Sequence, residues 1–312
     1  MTRFEIELRE WEPGNGSPFQ DEDLGNKNKD RTFYFTGTHE EAKKELERLK
    51  KDSANCCRWN LKEDKQKYLV IMSGPSCVGK GPALSAVKRF YPEIKFKEIP
   101  VIKSLESRPK GLRDDDDPNY FMKSADIEHL EKNYVTWQCR GSFQAVKLED
   151  VLYSNEPMNY LEIYRETDAK VRDKVSSKNI KVLPIFMSPL DETELKNAAR
   201  AGINLKSYIC GIMMSKLIQR SEFNGKDLYS YEIIDDNLKR ALDAYSEIRS
   251  GTLFSKVLVN HDGEGHPNWN RLKDGSFICK PLGEAWNIVE TLADVLRTGK
   301  ERGQQPWKQG YF

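Results

Sequence analysis

The segment Lys67-Tyr-Leu-Val-Ile-Met-Ser73 restricts what this chain can fold into more than any other. A strand with one wet face alternates apolar and polar residues. The unbroken run from Tyr68 to Met72 instead suits a strand covered on both faces, as in a parallel sheet flanked by helices. Lys181-Val-Leu-Pro-Ile-Phe-Met187 and Lys256-Val-Leu-Val259 repeat that character, and helical patterns run over Asp126–Lys132, Asp191–Ala201 and Asn237–Arg249. Strands alternating with helices predict an α/β fold with a parallel sheet.

The first run ends in Gly74-Pro-Ser-Cys-Val-Gly79-Lys80, which fits the G-x-x-x-x-G-K part of a P-loop. A glycine-rich turn lets successive backbone N–H groups converge on a phosphate, and the helix that follows points its positive end at the same anion. Lys80 then reaches the outer phosphates. Where Ser or Thr normally follows the lysine and holds Mg²⁺, this chain has Gly81 and Pro82. Pro82 suits the first helical turn. Gly81 offers no hydroxyl, so a metal must be held by water, by another side chain or by the nucleotide.

Residues 1–66 read as a small α+β module. Phe4–Leu8 and Arg31–Phe35 alternate as half-buried strands, Pro13 to Asp30 reads as a loop, and Thr38 with Glu41 forms a capping box for a helix through Leu46 and Leu49. Such a module either packs on the next domain, or presents a substrate or oligomerises. Residues 67–298 form the main domain, and 299–312 a tail.

Charge narrows the function. Fifty Lys and Arg face 49 Asp and Glu, a net charge of +1, which argues against sequence-blind coating of nucleic acid but leaves a local basic groove open. The longest apolar stretches fall well short of the ~20 residues of a membrane span, and the N-terminus lacks the apolar core of a signal peptide. The six cysteines, including the adjacent Cys56 and Cys57, show no metal spacing and read as reduced thiols, so a cytoplasmic setting is expected.

Ser73-Gly-Pro-Ser-Cys-Val-Gly-Lys80 resembles the loop of the guanylate kinase family, S-G-P-S-G-x-G-K-[ST]. Further similarities follow in order. Ser107-Arg-Pro-Lys110 and Asn119-Tyr-Phe-Met-Lys-Ser124 resemble R-x-P-R and D-Y-x-F-[VS]-S, Val135-Thr-Trp137 stands at the family's E-W, and Tyr160-Leu-Glu-Ile163 lies at L-D-I-D. Ile185–Leu190, Glu194–Arg200, Asn237–Arg240 with Glu247, and Val257-Leu-Val-Asn260-His-Asp262 match the remaining motifs, with insertions near 203–235 and 263–280. The resemblance implies a P-loop nucleoside monophosphate kinase core with a lid, using ATP and Mg²⁺.

By that resemblance Gly74, Pro75, Ser76, Cys77, Val78, Gly79, Lys80 and Gly81 cradle the ATP phosphates, and Asn260 lies near the adenine. Lys80, Arg200 and Arg240 would stabilise charge on the transferring group, although an arginine on an amphipathic helix is otherwise a solvated charge. The acceptor side is implied to use Ser104, Arg108, Lys110, Arg113, Tyr120, Thr136 and Glu162. It departs from the family. Lys110 cannot form the bidentate fork of an arginine, and Thr136 replaces the glutamate that accepts two guanine N–H bonds.

Two acidic or mixed clusters stay open. Asp114–Asp117 reads as a solvated turn or a cation site, and His261, Asp262, Glu264 and His266 as a polar hairpin loop or a zinc site. Two functions follow. One is an ATP-dependent phosphotransferase acting on a nucleotide or nucleotide-like acceptor other than plain GMP, with a nucleic-acid acceptor as a variant. The other is a degenerate nucleotide-binding or interaction module without turnover.

Overall fold

The computed structural model describes residues 2–10, 31–37, 39–52, 57–64, 66–104, 121–130, 133–139, 142–176, 180–307 and 309–312. The predicted loop at 13–30, the capping Thr38, Cys56, the acceptor candidates Arg108, Lys110, Arg113 and Tyr120, and the acidic run 114–117 lie outside the described residues. The chain divides into two compact units, Met1–Gln66 with Asn155–Pro157, and Lys67–Ser154 with Met158–Phe312.

In the first unit, β1 (Thr2–Glu10), β2 (Arg31–Gly37), α1 (His39–Asp52) and β3 (Cys57–Asp64) form a three-stranded antiparallel sheet, order β2-β1-β3, with one helix. Glu40 and Glu41 open α1 while Lys50 and Lys51 close it, each charge complementing the helix dipole at its end.

The second unit begins with β4 (Lys67–Ser73), α2 (Lys80–Phe90), β5 (Lys97–Glu98), β6 (Ile102–Ser104), β7 (Phe121–Met122), α3 (Ser124–Glu128), β8 (Tyr134–Cys139), β9 (Ser142–Lys147) and α4 (Leu148–Leu152). It continues with β10 (Met158–Glu162), α5 (Arg165–Ser176), β11 (Ile180–Ser188), α6 (Glu192–Arg200), α7 (Leu205–Phe223), α8 (Tyr231–Ser250), β12 (Lys256–Val259) and α9 (Gly283–Thr298). Five strands pair in parallel in the order β12-β11-β4-β10-β5. This is the α/β core with a parallel sheet that the apolar runs predict.

The alternation of β4 shows why its run is unbroken. Tyr68, Val70 and Met72 pack into a core with α2 and α9, whereas Leu69 and Ile71 pack with Val171 and Val175 of α5 on the other face. Because both faces are covered, no polar position survives. With β10 on one side and β11 on the other, β4 lies where the strand order reverses. Ligands of open α/β sheets bind in the crevice at the carboxyl ends of the strands there.

A second sheet, order β7-β6-β9-β8, is built around the antiparallel β8–β9 pair. Three sequence expectations need correction. The helix expected over 126–132 is a single turn ending at Glu128, and α8 starts six residues before Asn237. The residues after 299 are no mere surface tail: Gln304 exchanges backbone bonds with Val257, and Trp307 is buried edge-on against Phe186. Among the described residues no helix is long and apolar enough to cross a membrane.

Candidate active site

The loop after β4 owes its shape to two glycines. Gly74 has φ 139°, and a Cβ there would sit 2.2 Å from the Met187 carbonyl oxygen of β11. Gly79 has φ 100°, and its Cβ would fall 2.6 Å from Asn260 Nδ2 and 2.7 Å from the Trp269 ring. No side chain has room at either position. Between them Cys77 also takes a left-handed conformation, φ 61°, a geometry that costs a residue with a Cβ roughly 1–2 kcal/mol.

Gly79 precedes α2 without a side-chain cap, and no acidic residue occupies the first turn. The opening N–H groups of α2 therefore keep their capacity for an anion. Lys80 is held beneath the loop, its Nζ donating to the Gly74 and Pro75 carbonyls at 2.8 Å each. Glu162, at the end of β10, lies 3.7 Å from the same ammonium.

A second cation reaches the loop from α8. Arg240 donates through Nε to both Asp236 carboxylate oxygens at 2.8 Å and through Nη1 to Ser76 Oγ at 3.1 Å. Partial burial acts to raise the Asp236 pKa, but the bonded guanidinium overcomes it and holds the carboxyl below its usual value. The structure thus joins Arg240 and Lys80 at one loop. Arg200 is exposed at the last turn of α6 and is not brought to it.

Asn260 is fully buried, with Nδ2 donating to the Val78 carbonyl at 2.7 Å and Oδ1 accepting from the Asp262 N–H at 3.3 Å. In this position the amide braces the loop. Trp269 completes that floor, buried under Gly79 with its indole N–H donated to the Gly263 carbonyl.

Three groups here were not singled out by sequence. Trp269 is one; Lys216 and Arg220, one turn apart on α7, are the others. The Lys216 ammonium donates to the His261 carbonyl, and burial pulls its pKa below the usual lysine value. Arg220 Nη1 stands 3.7 Å from Glu264 Oε2, whose own N–H caps the Cys77 carbonyl at 2.7 Å. The Cys77 thiol is pushed up to about 12 by burial despite Arg220 nearby, so it is no nucleophile. A signal was available, since Ile209, Met213 and Leu217 form a buried stripe at four-residue spacing with these cations beside it.

Of the acceptor candidates, Ser104 is buried at the end of β6, and Thr136 is half-buried on β8 opposite Ala145 of β9. The 261–266 cluster is tied into the fold. His261 bonds Glu284 and Glu194, and Asp262 accepts from Asn268 and from the Ala285 N–H. Among the described residues no group of three His, Cys, Asp or Glu side chains is arranged to hold a metal.

No family model matches the chain. Whole-protein similarity does. A guanylate kinase of Synechococcus sp. is 29% identical over 182 residues, covering 56% of this chain and 78% of that protein. Another, from Caldanaerobacter subterraneus, is 28% identical over 205 residues, covering 64% and 92%. Over the stretch that carries the phosphate loop the chain is thus similar to guanylate kinases. A solved guanylate kinase from Anaplasma phagocytophilum superposes with a TM-score of 0.41 at 13% identity, over 76% of this chain and 87% of that one, too loosely to add weight. The guanylate kinase relatives make this a nucleotide kinase-like protein.

Proposed function

We propose that the chain is an ATP-dependent phosphotransferase that phosphorylates a nucleotide or nucleotide-like acceptor other than plain GMP, in the cytoplasm. The observation that carries this reading is the Arg240–Ser76 bond, 3.1 Å long and spanning 164 residues. It sets a guanidinium from α8 at the loop that already holds Lys80. A binding module has no need of a second cation there. A transfer site has one, because negative charge moves across the γ-phosphoryl oxygens in the transition state.

In this reading the loop amides and Lys80 hold the donor phosphates. An acceptor oxygen forms its bond to the γ-phosphorus as the bond to the β–γ bridging oxygen breaks, and ADP departs with the electron pair. Arg240 stabilises the charge on the transferring group, and Arg200 joins it when α6 closes. Bound Mg²⁺ would neutralise phosphate charge. With Gly81 lacking a hydroxyl, Glu162, whose carboxylate lies 3.7 Å from the Lys80 ammonium, would help hold the metal. For the acceptor, Ser104, Thr136 and Glu162 serve together with Arg108, Lys110, Arg113 and Tyr120.

Thr136 is the reason to exclude plain GMP as the main acceptor. A site built around a buried partner for a base edge discriminates by up to about 10⁴–10⁵ when that partner is present, and loses it when the partner is gone. Thr136 and Gly81 also favour a second reading, a nucleotide-binding module without turnover. A panel of nucleoside monophosphates and short oligonucleotides incubated with γ-labelled ATP and Mg²⁺ separates the two. Transfer to an acceptor other than GMP is expected. A GMP preference like that of an ordinary guanylate kinase overturns the acceptor claim, and tight ATP binding with no transfer to any acceptor favours the module.

A further inference from the structure

His261 occupies an unusual position for a titratable group. Its Nε2 lies 2.8 Å from Glu194 Oε2 on α6, and its Nδ1 lies 2.8 and 2.9 Å from the two carboxylate oxygens of Glu284 on α9. A neutral imidazole carries one N–H and turns a lone pair outward at the other nitrogen. Between two carboxylates only the imidazolium can donate at both ends. The neutral ring would set a lone pair against a carboxylate and leave two anions facing each other across it.

The backbone of His261 is fixed independently. Its N–H donates to Glu284 Oε2 at 2.9 Å, its carbonyl accepts from Lys216 of α7, and the preceding Asn260 holds the phosphate loop. Glu194 has a second duty. The same Oε2 accepts from the Asp191 N–H at 2.8 Å, closing the capping box that starts α6. One side chain therefore ties the first turn of α6 to the segment bracing the P-loop.

We propose that His261 is a positioning residue that, as the imidazolium, docks α6 on the donor site and releases it on deprotonation. This rests on the phosphotransferase reading, in which α6 carries Arg200. The charged groups on the ring are Glu194 from α6 and Glu284 from α9; beside them Lys216 of α7 meets the His261 carbonyl, and Asp262 follows in its own loop. Asp262 is occupied by Asn268 and Ala285, and the Lys216 ammonium is drawn to the His261 carbonyl, which leaves the two glutamates to govern the ring. Burial works against the charged ring, but the hydrogen bonds from Glu284 and Glu194 outweigh it, and the pKa lies above the usual 6.5. The sign follows. The clamp is complete below pH 6.5 and is lost as pH rises through the elevated value. Each unit by which the docked ring exceeds the undocked one is about a tenfold change in the docking equilibrium.

The test is a ring titration of His261 by NMR in the full chain, together with hydrogen exchange of the α6 amides corrected for intrinsic rate, from pH 5.5 to 9. In the wild type α6 protection should fall several-fold with the midpoint of the His261 titration. Glu194→Gln keeps an oxygen for the Asp191 N–H, and with Glu284→Gln it should lower the ring pKa; His261→Gln should flatten the α6 profile. The KM for ATP should rise through the same midpoint in the wild type alone. A ring pKa at or below 6.5, α6 protection indifferent to its titration, or an unchanged profile in His261→Gln overturns the proposal. Neither the titration nor the exchange needs turnover, so a chain that transfers no phosphate still tests the clamp and fails only the phosphotransferase reading.

Discussion

Replacing Asn260 by alanine discriminates between a residue that reads a base and one that supports the phosphate loop. The side chain is fully buried, and its loss orphans the Val78 carbonyl, itself in a residue with no exposed surface. An unpaired buried carbonyl costs about 1–3 kcal/mol, and the small cavity and the long bond from Asp262 raise the expected loss to about 2–4 kcal/mol. Urea unfolding measures it. Calorimetric titration with ATP, GTP and inorganic tripolyphosphate then reads the site. If Asn260 braces the loop, all three affinities fall together, because the defect lies in the phosphate cradle they share. Unchanged stability, with ATP weakened and tripolyphosphate untouched, would refute the argument and return Asn260 to the adenine.

Lys80→Ala should lower ATP turnover by about 10²–10³-fold, the scale for losing one preorganised charge donor, while circular dichroism shows a folded chain. Gly81→Ser should be accepted, because nothing lies within 4 Å of an added Cβ, and it should strengthen Mg²⁺-dependent ATP binding; an unchanged metal dependence would place the ligand elsewhere. Thr136→Glu should raise the rate with GMP relative to other monophosphates, measured under saturating ATP. Burial pushes the Asp168 carboxyl up to about 6 against the opposing pull of Arg172, so the folded state keeps a proton that the unfolded state loses near 3.8. Wild-type stability relative to Asp168→Asn should therefore fall as pH rises from about 4 to 6, by roughly 3 kcal/mol, a slope that urea midpoints across that range will show or exclude.

Those features legible in the sequence were local ones. The unbroken run Tyr68–Met72 announced a strand covered on both faces, and Gly74, Gly79 and Lys80 announced the turn that leaves it. The start of α8 was missed because Ile234 and Leu238 stay exposed, so the apolar pattern does not mark an inward face. The role of Asn260 was illegible for another reason: its partner lies 182 residues away, and no spacing rule spans that distance. Trp269 was hidden in a segment rich in Gly, Asp and Asn that reads as polar loop, although its ring is among the most deeply buried in the chain. Lys216 and Arg220 lay in a presumed insertion, where cations beside an apolar stripe pass for solvated surface.

The bond from Asn260 to Val78 and the seat of Gly79 on Trp269 also order events during synthesis. The loop residues leave the ribosome early, yet the floor that shapes them is nearly two hundred residues behind. Until that stretch has emerged, Gly79 has nothing to close against. Contacts of such long range form late, because chain entropy must be overcome before they repay it. A nascent chain carrying every residue of the loop would thus lack the shaped loop, and would acquire it only once translation has passed Trp269. A stalled or truncated product then carries the loop residues without the loop.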